Sequence, residues 1–357
     1  MTGLVGEKNR GKVSFFIKLI LVSVGGQPLS SLDIPHVSVI VVTKDRPLYL
    51  KKCLESLANQ TYPKNKLDVI VVDGGKSFSV TRLFNENLNL TYAKQNDLGI
   101  PQARNIGLRA AKGEIIAFID DDCVANKNWI TEGVKSFSND EIGIVQGKTT
   151  PGRVDFSIRD CLRKRKVFFL SVEIVAPMWN YQTCNIFYRK TAITSVGEFD
   201  IDLQSGEDSD FGLRVTDIGY KNAFAAKAIV YHSVIPTSFL SLIKYSSQAF
   251  YCPLLVKKHS VLRKKLFLLL FWSPSDFWLT MALISIVPAI LISPLFSIIV
   301  AIYASKAFLG INASLAFSNR RRGAVYRLLA IPFFVVKDFY NLAFFIAGSL
   351  KYKCFVL

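Results

Sequence analysis

Hydrophobic and polar positions follow two different regimes along the chain. Between Val37 and His232, short apolar runs rich in β-branched residues alternate with amphipathic stretches. Val37–Val42, Leu67–Val72, Leu90–Ala93 and Ile115–Ile119 are such runs, and polar residues follow each of them. Apolar runs of this kind suit strands buried on both faces of a parallel sheet. Between them, Leu50, Leu54 and Leu57 fall at helical spacing within Tyr49–Asn59, and Asp97–Ala111 reads as a helix entered through Pro101. Cys184–Lys190 and Ala228–His232 read as further strands, and Gly206-Glu207-Asp208-Ser209-Asp210 opens a helix that continues through Phe211, Leu213 and Val215. Alternating strands and helices predict an α/β fold with a mostly parallel sheet and right-handed crossovers.

Beyond position 250 the alternation gives way to long apolar stretches. Phe277–Leu309 is apolar apart from Lys306 and contains Pro288 and Pro294; Val325–Leu350 carries Lys337 and Asp338 near its middle. A full span takes ~20 residues, so the first stretch suits one kinked span or a hairpin of two short ones. Basic residues stand on both flanks, at Lys257, Lys258 and Arg263–Lys265 and again at Arg320–Arg322. Cytosolic loops collect positive charge, which favours the hairpin. Lys337 and Asp338 are costly in hydrocarbon, so the second stretch is expected to be re-entrant or interfacial. Near the N-terminus, Lys8, Arg10 and Lys12 precede an apolar run, Val13–Val24, interrupted by Lys18. That run is too short to span and reads as a surface-lying amphipathic segment or a disordered tail. Three parts are expected: a leader over 1–35, an α/β domain over 36–250 and a membrane-associated helical region over 251–357.

Composition sharpens the second regime more than the first. The 357-residue chain is 50% hydrophobic, with mean hydropathy +0.30 and a formal net charge of +17. Most of that excess lies after position 250, where only Asp276 and Asp338 oppose the lysines and arginines. A basic excess that follows the apolar third points to an anionic membrane surface and away from nucleic acid. Arg153–Lys166, a further basic segment, is either a solvated helix face or a surface against lipid headgroups. The six cysteines form no Cys-x-x-Cys pair, which fits free thiols better than a disulfide frame or a zinc site.

The candidate chemistry sits at strand ends. Thr43-Lys44-Asp45-Arg46, Asp73, Arg104 and Asp120-Asp121-Asp122 all fall at or near the carboxyl ends of successive strands, where open α/β sheets bind ligands. Carboxylates alone repel a diphosphate. A divalent cation with hard oxygen ligands, Mg²⁺ or Mn²⁺, reconciles the two, and Arg104 is placed to add a charge-assisted phosphate contact. No Gly-x-Gly-x-x-Gly follows the first strand, which sets aside a dinucleotide-binding dehydrogenase.

Several motifs in order carry a resemblance. They are Val-Ser-Val-Ile-Val-Val-Thr-Lys-Asp-Arg-Pro at 37–47, Val-Val-Asp-Gly-Gly at 71–75, Asn-Asp-Leu-Gly-Ile-Pro-Gln-Ala-Arg-Asn-Ile-Gly at 96–107 and Gly-Glu-Ile-Ile-Ala-Phe-Ile-Asp-Asp-Asp at 113–122. Asn-Ile-Phe-Tyr-Arg-Lys at 185–190, Val-Gly-Glu-Phe-Asp at 196–200 and Gly-Glu-Asp at 206–208 follow. Over roughly 37–232 the chain resembles a glycosyltransferase of family 2 with the GT-A fold. The resemblance implies an inverting transfer from a nucleotide-sugar donor, with a divalent cation as cofactor. Asp73 would read the nucleobase beside the backbone at Thr43 and Asp45, and Arg104 and Asp120 would complete the donor site. Asp120 and Asp122 match the Asp-x-Asp metal motif, His232 matches a histidine that joins the metal in some relatives, and Asp121 would point away. Asp208, with Glu207 beside it, matches the catalytic base; Trp179 and Asn185 fall where an acceptor is expected, and acceptor choice is assigned to loops near Gln146–Thr150, Trp179–Thr183 and Leu203–Gly206. The chain departs from the usual Asp-Asp-Gly-Ser at the second strand, where it reads Asp-Gly-Gly-Lys. The expected acceptor is a lipid-linked saccharide at the cell membrane, with the catalytic domain on the cytoplasmic side. A polyprenyl-phosphate sugar synthase and a non-catalytic membrane scaffold are the rival readings. No Gln-x-x-Arg-Trp motif marks a processive polysaccharide synthase.

Overall fold

β1 (Val37–Thr43) is the strand around which the sheet is assembled. The computed structural model describes residues 34–75, 88–96, 99–153, 156–166, 168–303 and 324–357. In chain order the elements after β1 are α1 (Pro47–Ala58), β2 (Leu67–Asp73), β3 (Leu90–Lys94), α2 (Ile100–Ala110), β4 (Ile115–Asp120), β5 (Cys123–Ala125) and α3 (Trp129–Lys135). β6 (Ile142–Pro151), α4 (Ile158–Arg163), β7 (Phe168–Leu170), β8 (Asn185–Arg189), α5 (Lys190–Val196), α6 (Glu207–Asp217), β9 (Lys221–His232) and β10 (Ile235–Thr237) follow. The remaining helices are α7 (Phe239–Ser246), α8 (Cys252–Lys258), α9 (Pro274–Leu291) and α10 (Ala324–Tyr352).

The main sheet runs β3-β2-β1-β4-β8-β6-β9-β5. β1 pairs in parallel with both β2 and β4, and the register puts Thr43 beside Asp73 and Val42 beside Asp120. The strand-end carboxylates expected to share one edge are therefore brought to it by the ladder. The sheet is mixed beyond β4: β8 is antiparallel to both β4 and β6, and β5 is antiparallel to β9. The expected strands are present, with longer bounds at the end, since β9 begins at Lys221. Gln146–Thr150 was expected to be a specificity loop; it is instead part of β6, a strand inside the sheet. Its apolar run Ile142–Val145 is interrupted by Gly143, where a Cβ would fall 2.6 Å from the Tyr220 ring, so the glycine conceals a strand pattern.

Aromatic packing fixes α6 against the sheet. Phe211 stacks on Phe199 with ring centroids 4.1 Å apart, and Tyr188 of β8 meets Phe211 edge-on at 5.1 Å. These rings belong to a core that also contains Ile40, Phe118, Leu262, Phe345 and Val356. The core thus runs without a break from β1 to the C-terminus, and His36–Leu357 forms one compact unit. α10 packs on α7, on the turn Ser247–Tyr251 and on α8. At Gly348 any Cβ would lie 2.2 Å from the Phe250 carbonyl oxygen, so the helix approaches that turn backbone to backbone.

The apolar stretches after position 250 become helices. α9 starts with Ser273 and Asp276 capping one another: the Ser273 side chain accepts from the Asp276 amide and donates to its carboxylate at 2.6 Å. It contains Pro288 and is the one helix among the described residues long and apolar enough to cross a membrane. The expected second leg and the cluster Arg320–Arg322 fall largely in 304–323, outside the described residues, as does the amphipathic segment Val13–Val24. Basic Arg159, Arg163, Lys164, Arg165 and Lys166 are exposed on and after α4.

One buried ion cluster joins α6 to the segment after α8. Asp210, fully buried in the first turn of α6, lies 3.0 Å from His259 Nε2, 2.7 Å from Lys258 Nζ and 2.9 Å from Arg214 Nε. Burial alone would raise this carboxyl, but His259, Lys258 and Arg214 overcome it and hold it at about 2. A carboxyl held that low contributes about 2 kcal/mol near neutrality. That stability is present above the ordinary carboxylate range and is lost as pH falls through about 2. Asp210→Asn is accordingly expected to destabilise the protein at pH 7, with the gap from wild type closing between roughly pH 4 and pH 2. Urea unfolding at a series of pH values measures this; a gap independent of pH would contradict it.

Candidate active site

The loop after β1 is tied to the acidic end of β4 by Arg46. Its guanidinium lies 2.5 Å from Asp121 Oδ1 and donates to Asp122 Oδ2 at 2.8 Å, while Thr43 Oγ1 donates to Asp121 Oδ2 at 2.6 Å. Asp121 is fully buried, and burial pushes its carboxyl up to about 7 despite Arg46. It points into the loop and anchors it. Burial, and after it the neighbouring Asp122, raises Asp120 as well.

Asp73 ends β2 beside Thr43, where the base-reading carboxylate was expected. Oδ1 accepts from the Gly75 amide at 2.7 Å; Oδ2 accepts from Lys94 Nζ at 3.0 Å and Tyr92 at 3.1 Å. The departure at 74–75 has a steric counterpart. A Cβ at Gly75 would stand 2.7 Å from Asp45 Oδ1 and 3.0 Å from Asp73 Oδ1, and one at Gly74 would meet Gln95 at 2.9 Å. Asp45 itself adopts a left-handed backbone, φ 53°, a conformation rare outside glycine, asparagine and aspartate.

Asp122 faces His232 across the β5–β9 pairing, with Oδ1 3.5 Å from Nε2. The other ring nitrogen, Nδ1, lies 3.0 Å from the Ser233 carbonyl oxygen, which only accepts, so Nδ1 carries the proton. In that tautomer a neutral ring would turn its Nε2 lone pair toward the Asp122 carboxylate, two acceptors in apposition. That arrangement calls for a cation between them, a proton or a metal ion. Asp122, Cys123 and His232 each offer a ligand atom within 4.8 Å of the others. Burial pushes the Cys123 thiol up, so it stays protonated and is a poorer ligand than its two neighbours. The donor set therefore fits a divalent cation held by Asp122 and His232, with Asp120 adjacent.

Across the site, α6 opens at Gly206, whose left-handed φ of 79° turns the chain into the helix. Asp208 Oδ1 accepts from the Ser209 amide at 2.7 Å, and Ser209 Oγ donates to the Asn180 carbonyl. Burial, with the Glu207 charge second, pushes the Asp208 carboxyl up to about 7. A carboxyl poised there is suited to general-base work near neutrality.

Three expected roles are corrected by this geometry. Arg104, expected on phosphate, is buried and spent on the Glu207 carboxylate and the Thr183 hydroxyl. Glu207, expected in the catalytic pair, is the other half of that ion pair and so positions α6. Asn185, expected at the acceptor, is fully buried in β8. Its Oδ1 accepts from Trp129 Nε1 at 2.8 Å and its Nδ2 donates to the carbonyls of Lys148 and Ala228, leaving no group for a ligand. Trp179 lies half-buried on the wall of a cavity of about 800 Å³ that also exposes Gly206, Glu207 and Asp208. Sequence reasoning placed Arg46 at the strand end and Thr183 in an acceptor loop without their partners, and it missed His259. Arg46 has a legible signal, a cation three residues past the strand end that meets the acidic cluster; the other two are brought in only by tertiary packing.

Comparison with known proteins agrees with this fold. Residues 38–193 match the family described as glycosyl transferase family 2. Glycosyltransferase AglE of Haloferax volcanii is 31% identical over 222 residues, 57% of this chain and 68% of that protein. The probable glycosyltransferase YdaM of Bacillus subtilis is 24% identical over 221 residues, 56% of this chain and about half, 51%, of its own length. Among solved structures, the mannosyltransferase PcManGT of Pyrobaculum calidifontis, in complex with GDP-Man and Mn²⁺, superposes with a TM-score of 0.56 at 17% identity, covering 96% of this chain and 94% of that one. At that identity the superposition speaks for the fold, a GT-A architecture of mixed, mostly parallel sheet between helices. The chain belongs to glycosyltransferase family 2.

Proposed function

We propose that this glycosyltransferase moves a hexosyl or N-acetylhexosaminyl group, with inversion, from a nucleotide-sugar donor to a hydroxyl of a lipid-linked saccharide. The acceptor is presented at the cytoplasmic face of the cell membrane. One observation carries the reading: Asp208 opens a helix on the wall of a cavity of about 800 Å³ beside the acidic strand ends, where burial raises its carboxyl to about 7. In a single displacement it takes the acceptor hydroxyl proton as the acceptor oxygen bonds to the anomeric carbon. The bond from that carbon to the nucleoside diphosphate breaks, and its electron pair leaves with the phosphate.

Asp73, Thr43 and Asp45 border the donor side of the sheet, with Asp73 beside Thr43 in register. Asp122 and His232, with Asp120 adjacent, would hold a Mg²⁺ or Mn²⁺ ion. Such an ion, when bound, supplies positive charge to the departing diphosphate. Support for donor and cation comes from the fold neighbour, whose structure holds GDP-Man and Mn²⁺. Support for membrane attachment comes from α9, long and apolar enough to span, and from the exposed basic residues of α4 and the segment before α9. A hydroxyl acceptor needs a base, whereas an acceptor phosphate is already ionised, and the raised Asp208 carboxyl favours the hydroxyl.

Two measurements test these assignments. Assayed over a nucleotide-sugar panel, Asp208→Asn is expected to lose about 10²–10⁴-fold in transfer. The wild-type rate is expected to rise with pH through about 7, as Asp208 loses its proton. A modest loss in the variant would point instead to a phosphate acceptor. Chelation is expected to abolish transfer and added Mn²⁺ to restore it. Asp122→Asn and His232→Gln should each weaken Mn²⁺ binding, followed by electron paramagnetic resonance, by at least about tenfold; unchanged affinity in both would refute the assigned ligands.

A further inference from the structure

α9 leaves the protein before it ends. Its last buried residue is Ser285; beyond it Ile286, Val287, Ile290, Leu291 and Ile292 are exposed, as is Leu295. These positions point to every side of the helix, and no charged residue occurs from Phe277 to Tyr303. A second protein chain covers one face of a helix, whereas an apolar surface on every side matches lipid. The chain then turns back. Tyr303 is buried against Leu279, Ala282 and Leu342, level with the middle of α9, and its hydroxyl donates to Asp338 at 3.1 Å. The turn between the two legs makes its own hydrogen bonds. The Ile292 and Ser293 amides donate to the Pro288 carbonyl at 2.9 and 3.0 Å. The Leu295 amide donates to Ser293 Oγ at 3.3 Å and the Phe296 amide to the Ser293 carbonyl at 3.2 Å, while Pro294 has no amide hydrogen. Irregular backbone is excluded from hydrocarbon when water must satisfy it. Here every amide donor from 292 to 296 is satisfied without water.

Depth decides between crossing and dipping. From Ala282, beside Tyr303, to Leu291 the helix rises about 14 Å, close to half of a hydrocarbon core of about 30 Å. Asp338, bonded to Tyr303, and Lys337, 3.8 Å from Asp338, mark the level of Ala282 as polar. A turn emerging at the far surface needs polar side chains, and this one presents Ile292, Leu295 and Phe296. At the base of the hairpin, Phe267 and Phe271 pack on Phe277, and Phe277 on Trp278, with centroids 5.3, 5.2 and 5.0 Å apart. The same turn exposes Lys264, Lys265, Leu268 and Leu269. Both leucines have left-handed backbones, φ 53° and 61°, which are rare for bulky side chains. Aromatic rings, outward leucines and lysines together suit an interface with anionic headgroups. α10 is no second span, because it lies along the protein: Phe333 meets Phe168 and Phe239, Phe345 meets Trp272, and Gly348 abuts the Phe250 backbone. We infer that α9 and residues 292–303 form a re-entrant hairpin that enters one leaflet of an anionic bilayer and returns to the side of the catalytic domain without crossing. The inference rests on the membrane attachment proposed above and is independent of the sugar transferred.

Full-length protein in nanodiscs of phosphatidylcholine and phosphatidylglycerol, whose two faces are both open to solutes, tests this. Spin labels are attached at Ile284→Cys or Leu295→Cys, both exposed positions, in a Cys252→Ser, Cys354→Ser background whose other cysteines are buried. Relaxation by oxygen and by a water-soluble nickel chelate reports depth. The Leu295 label is expected to be relaxed by oxygen and not by the chelate, and the Ile284 label by both. A crossing hairpin reverses that order, with Leu295 at the far headgroups; this result would overturn the re-entrant mode and leave membrane attachment standing. Labels open to the chelate at both sites, or shielded from both reagents and dipolar-coupled to a second copy, would also overturn the inference. Leu268→Glu and Leu291→Glu should each weaken sedimentation with vesicles of the same lipids by at least about tenfold. Their thermal midpoints in detergent should not change, since both side chains are exposed. Unaltered vesicle binding in both variants, or equal wild-type binding to vesicles without phosphatidylglycerol, would contradict the assigned surface. Wild-type protein that fails to sediment with vesicles would overturn membrane attachment itself.

Discussion

Everything in the site is arranged around the Arg104 guanidinium. It is buried in the second turn of the helix between β3 and β4, bonded to Glu207 and Thr183, with Asp120 and Asp208 also close enough to act on it electrostatically. Three carboxylates converging from β4 and α6 would repel one another in a dry interior. A single fixed cation among them makes that convergence tolerable, and an arginine is suited to the task because its fork stays charged when buried. The ion pair also sets distance: Glu207 cannot move without Arg104, and Asp208 is the next residue along. The Asp208 carboxyl, the proposed base, is thus held in place through its neighbour Glu207.

A second set of contacts determines what lies opposite that carboxyl. The face of α6 that carries Asp210 is clamped by Lys258 and His259, and α10 closes on the turn at Phe250 through Gly348. The helices after position 250 therefore contribute to the same core and the same cavity as the α/β sheet. Their apolar character serves two ends at once, since α9 leaves Ile284, Ile290 and Leu291 exposed while Asp276 at its first turn is buried.

The sheet and most of the strand-end carboxylates were legible because both follow from local pattern. An apolar run that stops at an aspartate says where a strand ends, and parallel crossovers say which ends lie together. Hence Asp73, Asp120, Asp122 and His232 fall on one edge as expected. Pairing between side chains is not a local property, and the misplaced roles are of that kind. Nothing near Arg104 in the chain reveals that Glu207 will neutralise it, and nothing near Asn185 reveals that Trp129 will occupy its oxygen. β6 escaped notice because Gly143 and Gly147 break its hydrophobic pattern, each where a neighbouring side chain needs the space. The span count was open for a different reason: hydropathy measures length and polarity, whereas α10 buries Leu342 and Phe345 against protein and leaves Val336, Phe339, Ile346 and Leu350 exposed.

The Asp122–His232 contact also bears on the order in which the chain must fold. Cys123 pairs with His232 at one edge of the sheet, so the two candidate ligands come from strands that are distant in sequence and meet only when β5 docks on β9. Contacts of such long sequence separation form late, after the loop entropy between them has been lost. An ion that needs both residues would then recognise the finished sheet and not its partly assembled precursors. Its binding would add to the stability of the native state alone, in proportion to the logarithm of its concentration. The supply of a simple cation would in that way govern how long a newly made chain stays folded, independently of any sugar it transfers.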